Sequence, residues 1–91
     1  MPVRLLRVRG RVQGVGFRDA CVEAARARGL AGWVRNRRDG SVEILVAGDV
    51  VRLDAFAGWL RHGVSLARVD GVESVESEAD GLSGFERRPT A

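Results

Sequence analysis

Residues 10–18 read GRVQGVGFR, three glycines within seven residues and an arginine near each end. The chain changes its habit across this stretch. Before it, residues 3–9 (VRLLRVR) mix Val and Leu with Arg. Leu6 and Val8 fall on one face of a strand and Arg7 and Arg9 on the other, with Leu5 breaking the alternation. After it, Phe17, Cys21, Ala24 and Ala25 recur at i, i+4, i+7 and i+8. That is one face of a helix, and Asp19, Glu23 and Arg26 lie opposite. Gly29 ends the helix as a C′ glycine does. Residues 10–18 are therefore a strand-to-helix turn.

The same alternation of periods continues to the end of the chain. Residues 30–36 (LAGWVRN) and 41–47 (SVEILVA) read as two strands joined by RRDG, whose Asp-Gly pair signals a hairpin turn. In the second of them Val42, Ile44 and Val46 alternate against Glu43. Asp49 is placed to cap a second helix, with Leu53, Phe56, Ala57 and Leu60 on its apolar stripe and Gly63 at its end. RVDGVESVES (68–77) is an acidic strand, ADGLSG a loop, and FERR a short final strand. Strand, helix, strand, strand, helix, strand is the order of the split β-α-β, ferredoxin-like α+β plan. The expectation is a four- to five-stranded antiparallel sheet with two helices on one face, one domain over residues 1–91.

Composition narrows the function classes. Cys21 is the only cysteine and His62 the only histidine, so neither an intrachain disulfide nor a His/Cys zinc site is available. No apolar run approaches the roughly 20 residues that span a bilayer, and the first ten residues are too short and too charged for a signal peptide. A cytoplasmic protein is expected, with no membrane partner. Net charge is +3, unevenly spread. Residues 1–40 carry ten arginines against Asp19, Glu23 and Asp39, a balance of +7; residues 41–91 carry five arginines against nine acids, a balance of −4. The basic half contains the glycine turn, which suggests an anionic ligand.

Gly14 and Gly16 permit left-handed backbone, so successive N–H groups of the turn can converge on one point. The helix that follows adds its unpaired N–H groups and dipole, and Arg18 adds a planar fork of donors that matches two phosphate oxygens. The turn lacks the Gly-Lys-Ser/Thr ending of a Walker loop and the spacing of a dinucleotide fingerprint. A plain turn with no ligand remains open on these residues alone. Asn36 stands at the end of the second strand, where it is either a turn residue or a functional amide. In the split β-α-β plan the first and second strands run parallel with a third between them. Arg18 and Asn36 then reach the same edge of the sheet.

The segments GRVQGVGFR and GWVRNRRDGSVEILVAG resemble the two signature segments of the acylphosphatase family, and length, element order and the Arg18–Asn36 spacing agree over nearly the whole chain. The resemblance implies metal-independent, cofactor-free hydrolysis of the carboxyl–phosphate bond of a small acyl phosphate. By the same resemblance the phosphoryl group binds to Arg18 and the backbone amides of Gln13, Gly14, Val15, Gly16, Phe17 and Arg18, and Asn36 holds the attacking water. Gly16 falls at a position that varies in the family. The tail FERRPTA is more polar than the family's apolar last strand, which leaves the burial of that strand open.

The chemistry suits a chain with no Ser-His-Asp or Cys-His set. The leaving group is a carboxylate with a pKa of roughly 4, so it departs without a general acid. Neutralising the phosphoryl oxygens and aligning water is sufficient, and both are tasks of position and charge. Cys21 is expected in the core, His62 at the surface near a helix end, and Trp33 and Trp59 in packing roles. Arg35, Arg37 and Arg38 flank Asn36 as candidates for steering an anion. An RNA-recognition module is disfavoured because the first strand and SVEILVA carry no aromatic on which a base could stack. A non-catalytic phosphate binder would not need Asn36. A terminal domain of a larger carbamoyl-phosphate-using maturation factor resembles the same family; at 91 residues, a free-standing enzyme that acts as a monomer is expected.

Overall fold

The computed structural model describes residues 1–91. Its elements follow the expected order: β1 (Val3–Arg11), α1 (Phe17–Ala27), β2 (Ala31–Asn36), β3 (Val42–Ala47), α2 (Val50–His62), β4 (Arg68–Ser77) and β5 (Phe85–Arg87). Both helices stop and start as their sequences direct. Gly29, at φ 67°, closes α1, with Leu30 N–H donating to Ala25 C=O at 2.9 Å and Gly29 N–H to Arg26 C=O at 3.0 Å. This paired pattern satisfies carbonyls that the helix end would otherwise leave bare. Asp49 caps α2, its carboxylate accepting from Arg52 N–H at 2.9 Å.

The strands form one sheet in the order β4-β1-β3-β2-β5. β3 lies antiparallel between β1 and β2, so those two run parallel to each other without touching. Leu6 and Val8 of β1, Val34 of β2 and Val42, Ile44 and Val46 of β3 point to one face, where they meet the apolar stripes of α1 and α2 in a single cluster. Phe17, Phe56 and Phe85 are the largest side chains fully enclosed there. Burying each such side chain contributes about 1.5–3 kcal/mol, and this cluster sets the positions of both helices over the sheet.

The sheet is mixed rather than purely antiparallel, because β5 pairs parallel with β2 (Gly32↔Phe85, Val34↔Arg87). The route of the chain explains it. β4 runs against β1 and finishes opposite Val3, at the starting end of β1 and β2. The 78–84 connection then crosses to the far edge from that same end, so β5 must travel in the direction of β2. On the way Ala79 and Leu82 cover a second, smaller cluster of Val3, Trp33, Leu45 and Ala47 on the face away from the helices. Leu5, which broke the alternation of β1, packs against this second cluster.

The polar tail is an edge strand. Phe85 alone is buried, and the backbone carries the rest: Arg88 N–H donates to Val34 C=O at 2.8 Å and Ala91 N–H to Asn36 C=O at 3.0 Å. Glu43 departs from the plain alternation reading. It faces away from the helices as expected, yet it is only 6% exposed, because β3 is the central strand and arginines from both neighbours close over it.

Candidate active site

The chain leaves β1 at Arg11 and enters α1 at Phe17 through a loop pinned at three apolar points. Val12 and Phe17 are fully buried, and Val15 packs against the main core. Between these points Gly14 and Gly16 adopt φ 73° and 75°. A Cβ at either would meet no other atom, so it is the left-handed backbone, and not crowding, that calls for glycine. Gly16 is the N-cap of α1 and supplies no side-chain acceptor. None of the N–H groups from Gly14 to Asp19 donates to another group of the protein. The loop and the first helical turn thus present a run of unused donors with the positive end of the helix dipole behind them.

Gln13 fixes this loop to the hairpin opposite. Its side-chain Nε2 donates to Arg37 C=O at 2.7 Å and to Ser41 C=O at 2.9 Å. The hairpin is itself rigid: Asp39 accepts from the Ser41 hydroxyl at 2.6 Å and from Ser41 N–H at 3.0 Å, bonds that hold the Asp39 carboxyl below its ordinary range. Gln13 therefore ties the end of β1 to the end of β2, where Asn36 stands.

Arg18 and Asn36 line one cleft of about 170 Å³ together with Gly14, Gly16 and Phe17. Gln13 and Val15 do not line it with their side chains. Arg18 is half-buried and makes no ion pair, although Asp19 is its neighbour in sequence. Asn36 is 9% exposed, and its Oδ1 is buried with no donor within the protein. Leaving a buried acceptor unpaired costs about 1–3 kcal/mol, which sets this atom, on a residue of the cleft lining, apart from the many buried polar groups that are paired.

Two further cleft residues escaped the sequence reading. Arg87 of β5 stands level with Val34 and so faces the helix side, as Asn36 does. It donates to Asp19 at 3.0 Å, and Asp19 lines the cleft as well. The one available signal was the register of a three-residue strand, which has too little periodicity to read.

The lone cysteine, the histidine, the tryptophans and the arginines beside Asn36 have structural surroundings. Cys21 is fully buried on the inner face of α1, and burial pushes its thiol up, away from the reactive thiolate. His62 is exposed in the last turn of α2. Trp59 stacks on Phe56 with ring centres 5.9 Å apart, and Trp33 lies under the guanidinium groups of Arg35 and Arg88 at 4.7 and 5.1 Å. Arg35 and Arg37 are committed to Glu43 at 2.7 and 3.6 Å, which leaves Arg38 as the flanking arginine without an acid. Burial raises the Glu43 carboxyl, but Arg35, Arg7 and Arg37 outweigh it and hold it below the ordinary value. A larger hollow of about 210 Å³ opens on the face away from the helices; the charges of its arginines, Arg7 and Arg9, are matched by Glu43 and Glu73, although Arg7 Nε is buried without a partner.

A family profile described as Acylphosphatase matches residues 5–87. Acylphosphatase 1 of Ralstonia nicotianae is 51% identical over 89 residues, covering 96% of this chain and 87% of that protein. The crystal structure of acylphosphatase from Bacillus subtilis superimposes with a TM-score of 0.93 at 39% identity, over 97% of this chain and 99% of that one. Full-length HypF in a phosphate- and nucleotide-bound form aligns with a TM-score of 0.90 at 28% identity, over 98% of this chain and 12% of that one, so the same fold also occurs as a segment of a longer protein. With sequence likeness along almost its whole length, and a cleft of unpaired donors where the two signature segments meet, this chain belongs to the acylphosphatase family and is a hydrolase of acyl phosphates.

Proposed function

We propose that Arg18 and the N–H groups of the 13–18 loop hold the phosphoryl group of an acyl phosphate while Asn36 orients the attacking water. The observation that carries this reading is the pair of unsatisfied groups in one cleft: an arginine without an acid and a buried amide oxygen without a donor. Gln13 and Val15 serve as framework through their side chains, one bonded to the hairpin and one packed in the core, and contribute to the phosphate through the backbone. Gly14, Gly16 and Phe17 complete the cradle.

The chemistry then runs on position and charge. The guanidinium fork and the loop donors bind the phosphoryl oxygens in a partly enclosed cleft, where preorganised donors act more strongly than in water. The Asn36 amide holds water in line with the P–O bond to the acyl oxygen. Water oxygen bonds to phosphorus, the P–O bond to the acyl group breaks, and the acyl oxygen leaves as carboxylate with the bonding pair. Asn36 is too weak a base to take the proton, which passes to a phosphoryl oxygen. The working form is one domain over residues 1–91, a cytoplasmic monomer with no metal, cofactor, membrane or nucleic-acid partner.

Benzoyl phosphate hydrolysis, followed by absorbance, tests the assignment. Asn36→Ala is expected to lower kcat by about 10²-fold while inorganic phosphate inhibits as before, because a contact made mainly in the transition state appears in kcat. Asn36→Asp is expected to weaken phosphate inhibition as well, since it sets a negative charge beside the phosphoryl group. Circular dichroism of each variant establishes folding. Wild-type kcat in Asn36→Ala would reduce Asn36 to a turn residue.

A further inference from the structure

A carboxylate on the wall of an anion-binding cleft is an anomaly, and Asp19 is one. It follows Arg18 directly, lines the same cleft as Arg18 and Asn36, and would repel the dianionic oxygens that the cleft is shaped to receive. Arg18 does not neutralise it. The partner of Asp19 is Arg87, which reaches across from β5 and donates to Asp19 Oδ1 at 3.0 Å.

The pair is poorly placed for stability. The Arg87 and Asp19 side chains are 50% and 73% exposed, and ion pairs open to solvent add little to folding. Its location is what sets it apart from the other surface pairs. Arg87 stands on the edge strand level with Val34, two positions before Asn36, so its guanidinium emerges at the cleft and not on the outer surface of the sheet.

We infer that Arg87 is a positioning residue for phosphate affinity: by pairing with Asp19 it keeps a negative group of the cleft wall neutralised and turned from the Arg18 fork, leaving that fork free for substrate. The inference rests on the assignment of the cleft as the phosphate site. Arg87 acts through Asp19 and not by touching the phosphoryl group. Its loss should therefore matter only while the Asp19 carboxylate is present.

The test is a four-protein cycle: wild type, Arg87→Ala, Asp19→Asn and the double variant. The readouts are the competitive Ki of inorganic phosphate and the KM and kcat for benzoyl phosphate. Arg87→Ala is expected to raise Ki and KM together by roughly three- to tenfold, a range set by one unpaired, solvent-screened charge beside the site, with the change falling on KM more than on kcat. In the Asp19→Asn background, the same substitution is expected to change Ki by less than about twofold, since the charge that Arg87 restrains is gone. An Arg87→Ala loss that persists undiminished in Asp19→Asn would make Arg87 a direct phosphate ligand and overturn the inference. An unchanged Ki in Arg87→Ala, or a change confined to kcat, would overturn it too. Arg18→Ala separates the two levels. If that variant keeps wild-type phosphate inhibition, the cleft assignment itself fails; if it loses inhibition while the Arg87 series is flat, only the present inference does.

Discussion

Arg7, Arg9, Arg35 and Arg37 face away from the helices, and each meets an acid there: Glu43 is shared by Arg7, Arg35 and Arg37, and Arg9 takes Glu73 and Asp39. Arg18, in the cleft between the glycine loop and Asn36, has none. The two sets draw on the same residue type and sit on opposite sides of one sheet, yet their surroundings differ. On the open face, charge is spent inside the molecule, knitting β1, β2 and β3 together through one buried carboxylate. In the cleft, the guanidinium of Arg18 takes no part in ion pairing within the fold, as the proposed phosphate site requires. An arginine's role is read from what it lacks as much as from what it touches.

The largest difference should appear when one member of each set is removed. Arg18→Ala is expected to lower kcat/KM for benzoyl phosphate by about 10²–10³-fold with little change in the urea midpoint. Arg18→Lys should fail badly as well, because a point charge cannot bridge two oxygens in one plane. Arg35→Ala should do the reverse, loosening the fold while the enzyme that remains folded turns over normally. A fully active Arg18→Lys protein would mean that only diffuse charge is needed, and the contrast between the sets would collapse.

Glu43→Gln probes the satisfied set. It keeps the size of the side chain but leaves three arginines around a neutral group, and should lower stability by about 1–3 kcal/mol, read from chemical denaturation. The acid limb of the stability profile sharpens this further. The arginines hold the Glu43 carboxyl below its ordinary value, so its contribution is complete above the ordinary glutamate range and is lost as pH falls through the lower, folded-state value. Wild-type stability should therefore fall on acidification, and Glu43→Gln should flatten that slope. An equal slope in both proteins would show that other carboxylates carry it. The smallest effect expected is none: a chelator such as EDTA should leave activity unchanged, because in the proposed mechanism Arg18 supplies the charge that a divalent ion would otherwise bring. Loss of activity in EDTA restored by Mg²⁺ would assign that charge to the ion.

Much of this was legible in the residues. The stripe of Phe17, Cys21, Ala24 and Ala25 gave α1 its buried face, Asp49 its successor's start, and the hairpin its Asp39-Gly40 turn, because each signal is local and repeats at a known period. That Arg18 and Asn36 come to one edge was legible for a different reason: the split plan carries the ends of β1 and β2 there whatever their sequences. Glu43 and Arg87 were not. Whether Glu43 is exposed depends on which strands flank β3 and on arginines from both of them. The position of Arg87 depends on a crossing that ends in only three residues of strand. Both are properties of the assembled sheet, and no window of sequence contains them.

The buried thiol of Cys21 has a use that does not involve catalysis. It sits on the buried face of α1, the helix that opens at the glycine loop, fully enclosed and with its ionisation suppressed. A thiol reagent can reach it only when that helix lifts or the chain opens globally. When reclosing outruns the reaction, the labelling rate measures the open fraction, and a ligand that binds only the closed form lowers that fraction by the factor 1 + [L]/Kd. The single cysteine is thus an internal clock for occupancy. Slowing by inorganic phosphate would report its binding to the closed form with no substrate turned over, and loss of that slowing in Arg18→Ala would trace the binding to the cleft, equally in variants too slow to assay.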